Sequence, residues 1–119
     1  MAEKCRPLSF RVFDSLNVGT EVLVVDLRSE EPKVRQLKKG GGDPYEVHCY
    51  ELPPNEDQVQ GRLHRFNFGH DIRAKGNEYM RRLNFDSARA RREVLFFHGV
   101  HKGAVVSWCI KNGIKAIST

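Results

Sequence analysis

"EVLFFHGVHKGAVVSWCIKNGIKAIS", residues 93–118, changes texture three times. Val94 to Phe97 is an unbroken apolar run, short enough for a strand and flanked by polar residues, so it reads as a buried strand. "KGAVVSWCIKNG" (102–113) reads as a short helix that stops at Gly113, placed where a left-handed C′ residue belongs. "IKAIS" (114–118) reads as a last strand. A helix between two apolar strands makes a βαβ unit, which carries with it a right-handed crossover and parallel pairing. Ala104, Val105, Val106, Trp108, Cys109 and Ile110 surround the helix with apolar groups and predict burial on nearly all sides.

Upstream of this unit the period changes from helical to alternating. "LSFRVFD" (8–14) puts Phe10 and Val12 opposite Arg11 and Phe13, as a strand would. "TEVLVVDLR" (20–28) is β-branched and apolar enough for an interior strand after the Asn17–Gly19 turn. "PKVRQLKK" (32–39) alternates loosely before "GGGDP" breaks the chain at 40–44, and "YEVHCYEL" (45–52) alternates Tyr45, Val47 and Cys49 against Glu46, His48 and Tyr50. "QGRLHRFNF" (60–68) offers a fifth strand with Leu63 and Phe66 or Phe68 inward. Tyr79, Met80 and Leu83 form a helical stripe behind Asn77, whereas "SARARRE" (87–93) fits either a helical turn or a strand. The fold class expected is α+β: an N-terminal, mostly antiparallel sheet or partial barrel, then a helix, then the C-terminal βαβ unit. Residues 1–119 read as a single domain.

Charge is unevenly distributed. Residues 1–60 hold eight Lys/Arg against eleven Asp/Glu, and residues 61–119 hold twelve against four. The window 73–92 alone nets +5, which equals the net charge of the whole chain. A near-neutral protein with one basic segment attracts polyanions through its field and through counterion release. Arginines at 81, 82, 89, 91 and 92 offer planar, bidentate donors to phosphates, with Arg73 and Lys75 beside them. Tyr79, Phe66 and Phe68 are candidates for stacking on bases. A competing expectation is that these arginines neutralise the acidic first half, at Glu30, Glu31, Glu51, Glu56 and Asp57.

The loop "HGVHKG" (98–103) is the best-placed candidate site, because ligands of α/β units bind beyond the carboxyl ends of strands, near helix N-termini. His98, His101 and Lys102 cluster there, and Gly99 and Gly103 let an anion approach the backbone. Either histidine is also a candidate acid or base near neutral pH. The plainer alternative is a tight turn with packed histidines. Spacing does not support a metal: His98, His101 and Cys109 lack the close pairs of zinc sites, and His48, Cys49, His64 and His70 are scattered. No cofactor is implied. Cys49 cannot form a dyad with His48, because neighbours on a strand point to opposite faces.

"VLFFHGVHKGAVVSWCIKNGIKAIS" resembles the strand, glycine loop, Trp-bearing helix and last strand of Smr domains, which are small nucleic-acid-binding or nicking modules. "FNFGH" (66–70) stands where their Asp-Leu-His-Gly strand end sits, with Asn67 in place of the acidic residue and Gly69-His70 in reversed order. Residues 1–60 have no counterpart in that family.

The apolar runs Val22–Val25 and Val94–Phe97 are too short to cross a bilayer, and "MAEKCRPLSF" lacks the apolar stretch of a secretion signal. Three cysteines, an odd set, point to a reducing, intracellular setting, cytoplasm or nucleus. The function expected is nucleic-acid binding, RNA before DNA, through Arg73, Lys75, Tyr79, Arg81, Arg82, Arg89, Arg91, Arg92 and Lys102. Alternatives are a small nuclease or phosphoryl-transfer enzyme using His98 and His101, and an interaction module for an acidic protein partner.

Overall fold

The computed structural model describes residues 5–42, 46–52, 61–67 and 92–118. It is a mixed fold, a mostly antiparallel six-stranded open sheet with two helices. The elements are α1 (Phe10–Ser15), β1 (Glu21–Asp26), β2 (Lys33–Gly42), β3 (Val47–Glu51), β4 (Leu63–Phe66), β5 (Val94–Phe97), α2 (Lys102–Lys111) and β6 (Ile117–Ser118). The helical stripe at 77–83 and the ambiguous segment 87–91 lie outside the described residues.

Residues 10–15 form a helix rather than the expected strand. Ser9 supplies the reason: its Oγ accepts the Val12 N–H at 3.2 Å and so satisfies a donor that the first helical turn leaves unpaired. Phe10 and Phe13, one turn apart, are both buried, and Val12 turns outward. Lys39 closes the other end of α1, its buried ammonium donating to the carbonyls of Asp14 and Leu16 and lying 5.0 Å from the centre of the Phe13 ring.

β1 pairs antiparallel with β2 and with β5, β2 with β3, and β3 with β4, giving the order β4-β3-β2-β1-β5. The glycines at 40–42 extend β2 instead of breaking it, with a register irregularity against β3 between Lys39 and Gly42. Gly40 is required by close approach, since a Cβ there would come within 2.7 Å of the Tyr50 ring.

β5 and β6 run in the same direction, as the βαβ reading requires, but they do not pair. β1 and β2 lie between them, and β6 joins the start of β2 in parallel at Lys33–Ile117 and Val34–Ser118. Nor is α2 enclosed. Val105 and Cys109 face the sheet, but Ile110 is 68% exposed, because among the described residues only one side of the helix is packed.

The alternation of the strands makes two cores. On one face Val22, Val24, Leu37, Val47, Cys49, Phe66, Val94 and Phe96 enclose Phe10 and Phe13 of α1. On the other, Val25, Val34, Leu95 and Phe97 pack under α2. Each fully buried Phe contributes on the order of 1.5–3 kcal/mol. β5 is buried along its whole length because it faces both cores. The sheet curls strongly. β4 and β5 lie at its two ends, yet the Phe66 ring meets Phe96 edge-on at 6.2 Å and Glu93 N–H donates to the Asn67 carbonyl at 2.8 Å. The N-terminal segment lies along β5, where Leu8 N–H donates to the Phe96 carbonyl at 2.7 Å. No helix among the described residues is long and apolar enough to cross a membrane.

Candidate functional site

The carboxyl end of β5 opens directly into the loop 98–103. Gly99, at φ +75°, turns the chain, and His101 is the N-cap of α2 in an extended conformation. The His101 side chain makes no capping bond, and the first turn of α2 carries no acidic residue. His98 and His101 are both exposed, and among the described residues neither imidazole makes a hydrogen bond. They therefore lack the carboxylate or carbonyl that orients an acid-base histidine. Lys102 is half-buried beside them. The loop borders a cleft of about 290 Å³ whose lining includes Glu21, Leu23, Gln36, Phe97, His98 and Lys102. Gln36 Nε2 donates to Glu21 Oε2 at 3.3 Å, which fixes the one carboxylate on that wall.

Of the basic segment, only Arg92 falls among the described residues. Its Nε donates to the Val94 carbonyl at 2.9 Å and its Nη2 to the Leu8 carbonyl at 3.0 Å, tying the N-terminal segment to β5. Arg73, Lys75, Tyr79, Arg81, Arg82, Arg89 and Arg91 lie outside the described residues, as does Phe68. Phe66 is not available for stacking on a base. It is fully buried, because the inward face of β4 is His64 and Phe66 rather than Leu63 and Phe66.

Sequence reasoning missed a polar chain across the end of the inner core. Arg28 grips Asp26 with two bonds, Nε to Oδ1 at 2.9 Å and Nη2 to Oδ2 at 2.6 Å. The same Nη2 lies 3.0 Å from His64 Nδ1, Nη1 donates to the Arg65 carbonyl at 3.2 Å, and the guanidinium sits 4.3 Å from the Phe66 ring centre. His64 Nε2 lies 2.8 Å from Glu51 Oε1. A guanidinium only donates, so Nδ1 must accept, and the proton of a neutral His64 sits on Nε2, facing Glu51. Burial pushes the Asp26 carboxyl up, but hydrogen bonds from Arg28 and the charges of Arg28 and Arg35 more than offset it and hold it below the ordinary range. The bond to His64 likewise lowers Glu51, and the bond to Asp26 raises Arg28. Arg35 Nε is 3.4 Å from Asp26 Oδ2 but makes no hydrogen bond. The sequence signal was an acidic residue closing the apolar run "EVLVVD" with an arginine two positions on.

The Cys49 and Cys109 thiols are not poised for chemistry. Burial pushes Cys49 up to about 12, and it also raises Cys109. Among the described residues no group of three or more His, Cys, Asp or Glu is arranged to hold a metal ion.

The outer face of β2–β4 carries a second group. The register sets Lys38, Tyr50 and Leu63 abreast, and His48 beside Arg65. Glu46 reaches His48 Nε2 at 3.1 Å and Arg65 Nε at 3.8 Å.

Comparison with protein-family models, with curated proteins and with solved structures finds no match for this chain.

Proposed function

We propose that the chain is a small intracellular nucleic-acid-binding domain, RNA before DNA. The observation that carries the reading is the concentration of the entire net charge in residues 73–92 of an otherwise neutral chain. RNA comes first because no helix-turn-helix, finger or zipper pattern is present in the sequence. Arg73, Lys75, Arg81, Arg82, Arg89 and Arg91 position phosphates, Tyr79 stacks, and Lys102 with the exposed His98/His101 loop extends the track. Arg92 contributes least, its guanidinium being engaged by two backbone carbonyls. Arg92 and His98 flank β5 at opposite ends, and a four-residue strand spans roughly 13 Å. A polymer reaches both ends; a small metabolite does not.

The test is a binding titration against RNA, DNA and an acidic peptide across a range of salt. Phosphate contacts predict a linear fall of log affinity with log salt. Binding that barely responds to salt, or a preference for the peptide, would favour a protein partner instead. The nuclease reading has weaker support, because among the described residues neither loop imidazole has an orienting partner. It predicts cleavage of labelled RNA or DNA that His98→Ala or His101→Ala abolishes, and intact substrate at high protein concentration rejects it.

A further inference from the structure

We infer that a single-stranded segment of nucleic acid crosses the outer face of the sheet, from the 98–103 cleft towards β4, with one base stacked on Tyr50. This deepens the nucleic-acid reading and rests on it. The outer face is divided in two. α2 covers the half built from Val25, Val34, Leu95 and Phe97. On the other half stand Lys38, Tyr50, Leu63 and Arg65, all directed outward by strand alternation, and neither Tyr50 nor Leu63 belongs to either core.

His48 on this half is bonded to Glu46, but three other polar groups are little engaged. Among the described residues the Tyr50 hydroxyl makes no hydrogen bond and the Lys38 ammonium no ion pair, while Arg65, 64% exposed, has only Glu46 at 3.8 Å. The Tyr50 ring lies against the backbone at Gly40, where a Cβ would sit 2.7 Å from Cε2 and 3.1 Å from Cδ2. A half-exposed aromatic ring backed by backbone is held in place before any ligand arrives, which lowers the ordering cost of binding. Cations on the strands to either side of it supply the charge complementarity.

The same face continues into the loop cleft. Lys38 pairs with Glu21 of β1, and Glu21, Gln36 and Lys102 line the cleft. Three strand spacings separate Tyr50 from β5, roughly 14 Å. An extended chain bridges that distance. Unpaired bases are required, because a duplex buries its base faces within its own stack. Two carboxylates adjoin the cationic strip, Glu21 across from Lys38 and held by Gln36, and Glu46 beside Arg65.

The experiment is fluorescence anisotropy with a labelled ten-nucleotide single-stranded RNA, the matching duplex and an acidic peptide. The proteins are the full chain and its Tyr50→Ala, Tyr50→Phe, Arg65→Ala and Lys102→Ala variants. Single-stranded RNA should bind more tightly than duplex. Tyr50→Ala should weaken it by roughly five- to 150-fold, the range for loss of one base–aromatic stack, and Tyr50→Phe by no more than about two-fold. Arg65→Ala should reduce the salt slope by about one. Full affinity in Tyr50→Ala, with Lys102→Ala still weakened, overturns the Tyr50 platform and leaves the nucleic-acid reading standing. No salt-dependent binding by the unaltered chain overturns both. Peptide binding that is lost in Tyr50→Ala assigns the face to a protein partner and overturns the inference. Should Tyr50→Ala fail to fold by circular dichroism, an unchanged salt slope in Arg65→Ala is the overturning result.

Discussion

Replacing Arg28 by Met tests the polar chain that closes the inner core. The change keeps much of the side chain's apolar length and removes every side-chain donor, leaving the backbone N–H of residue 28 on Asp26 Oδ1 at 3.0 Å. Two charge-assisted bonds to Asp26 are lost, each worth about 1.5–3 kcal/mol in a typical mutational series. Asp26 is left with its side chain only 8% exposed, and His64 Nδ1 loses its donor. Three features limit the penalty: the backbone N–H of residue 28 still donates to Asp26, the Arg28 side chain is 31% exposed and therefore screened, and Arg35 remains 3.4 Å from the carboxylate. The expected loss is about 2–3 kcal/mol at pH 7, below the roughly 3–5 kcal/mol for stripping one partner from a fully buried pair. At a urea slope of about 1–3 kcal/mol per M, the midpoint falls by roughly 0.7–3 M.

The pH dependence has a definite sign. Arg28 holds the folded Asp26 carboxyl below its unfolded value, near 3.9 for a free Asp, so the stabilisation is complete above that value and disappears as pH falls through the folded one. The variant loses the Arg28 side-chain part of that depression and keeps the burial, so its deficit should be full at about pH 6–7 and shrink as pH falls towards the folded value. Urea unfolding followed by Trp108 fluorescence at pH 7, 5 and 3.5 measures it. A loss under 1 kcal/mol at pH 7, or a loss of the same size at all three pH values, would refute the account of Asp26 as a carboxylate stabilised by Arg28.

Three further outcomes are expected. Phe96→Ala removes a fully buried ring stacked at 4.0 Å on Phe13 and should cost about 3–5 kcal/mol; a thermal melt displaced by less than a degree or two contradicts the placement of the inner core. Gly61→Ala places a methyl group on the Glu51 carbonyl and should lose about 1–3 kcal/mol, whereas a neutral change would deny the close approach of the chain before β4 to β3. In the folded protein at pH 8, an alkylating reagent should modify half-buried Cys5 first and leave Cys49 and Cys109 protected until denaturant is added, as intact-mass spectrometry would show; rapid labelling of Cys49 would contradict its burial and its thiol at about 12.

The strands were readable because their burial alternates as their residues do. Val22 and Val24, then Val47 and Cys49, face inward, and the unbroken run at 94–97 is buried on both sides. Gly113 ends α2 at φ +75°, as its position in the sequence implied. Other features depended on tertiary context. In "SFRVFD" Phe10 and Phe13 satisfy a helical spacing while Phe10 and Val12 satisfy an alternating one; the deciding signal was Ser9, a residue able to cap. The glycines at 40–42 read as a breaker because nothing in sequence shows that the Tyr50 ring will lie across the first of them. The pairing of β6 with β2 rather than β5 is a choice among edges that local pattern does not encode. At the candidate loop, sequence located the residues and the turn but not that, among the described residues, His98 and His101 have no orienting partner. The Asp26–Arg28–His64–Glu51 chain joins three strands, so no local window contains it.

The pairing of β1 with β5 has a consequence for how the chain is made. Val24 finds Phe96 across more than seventy residues, and Leu8 and Arg92 are joined across eighty-four. At ribosomal speeds of about 5–20 residues per second, the interval between synthesis of Asp26 and of Phe97 is roughly 4–14 s. During that time β1, the most apolar strand of the first half, has β2 on one side and an open ladder edge on the other. A nascent chain with such an edge is aggregation-prone until Val94–Phe97 is available to pair with it. Expression at lower temperature, or with holdase chaperones that bind extended apolar segments, should therefore raise the soluble yield more than any change to the finished surface.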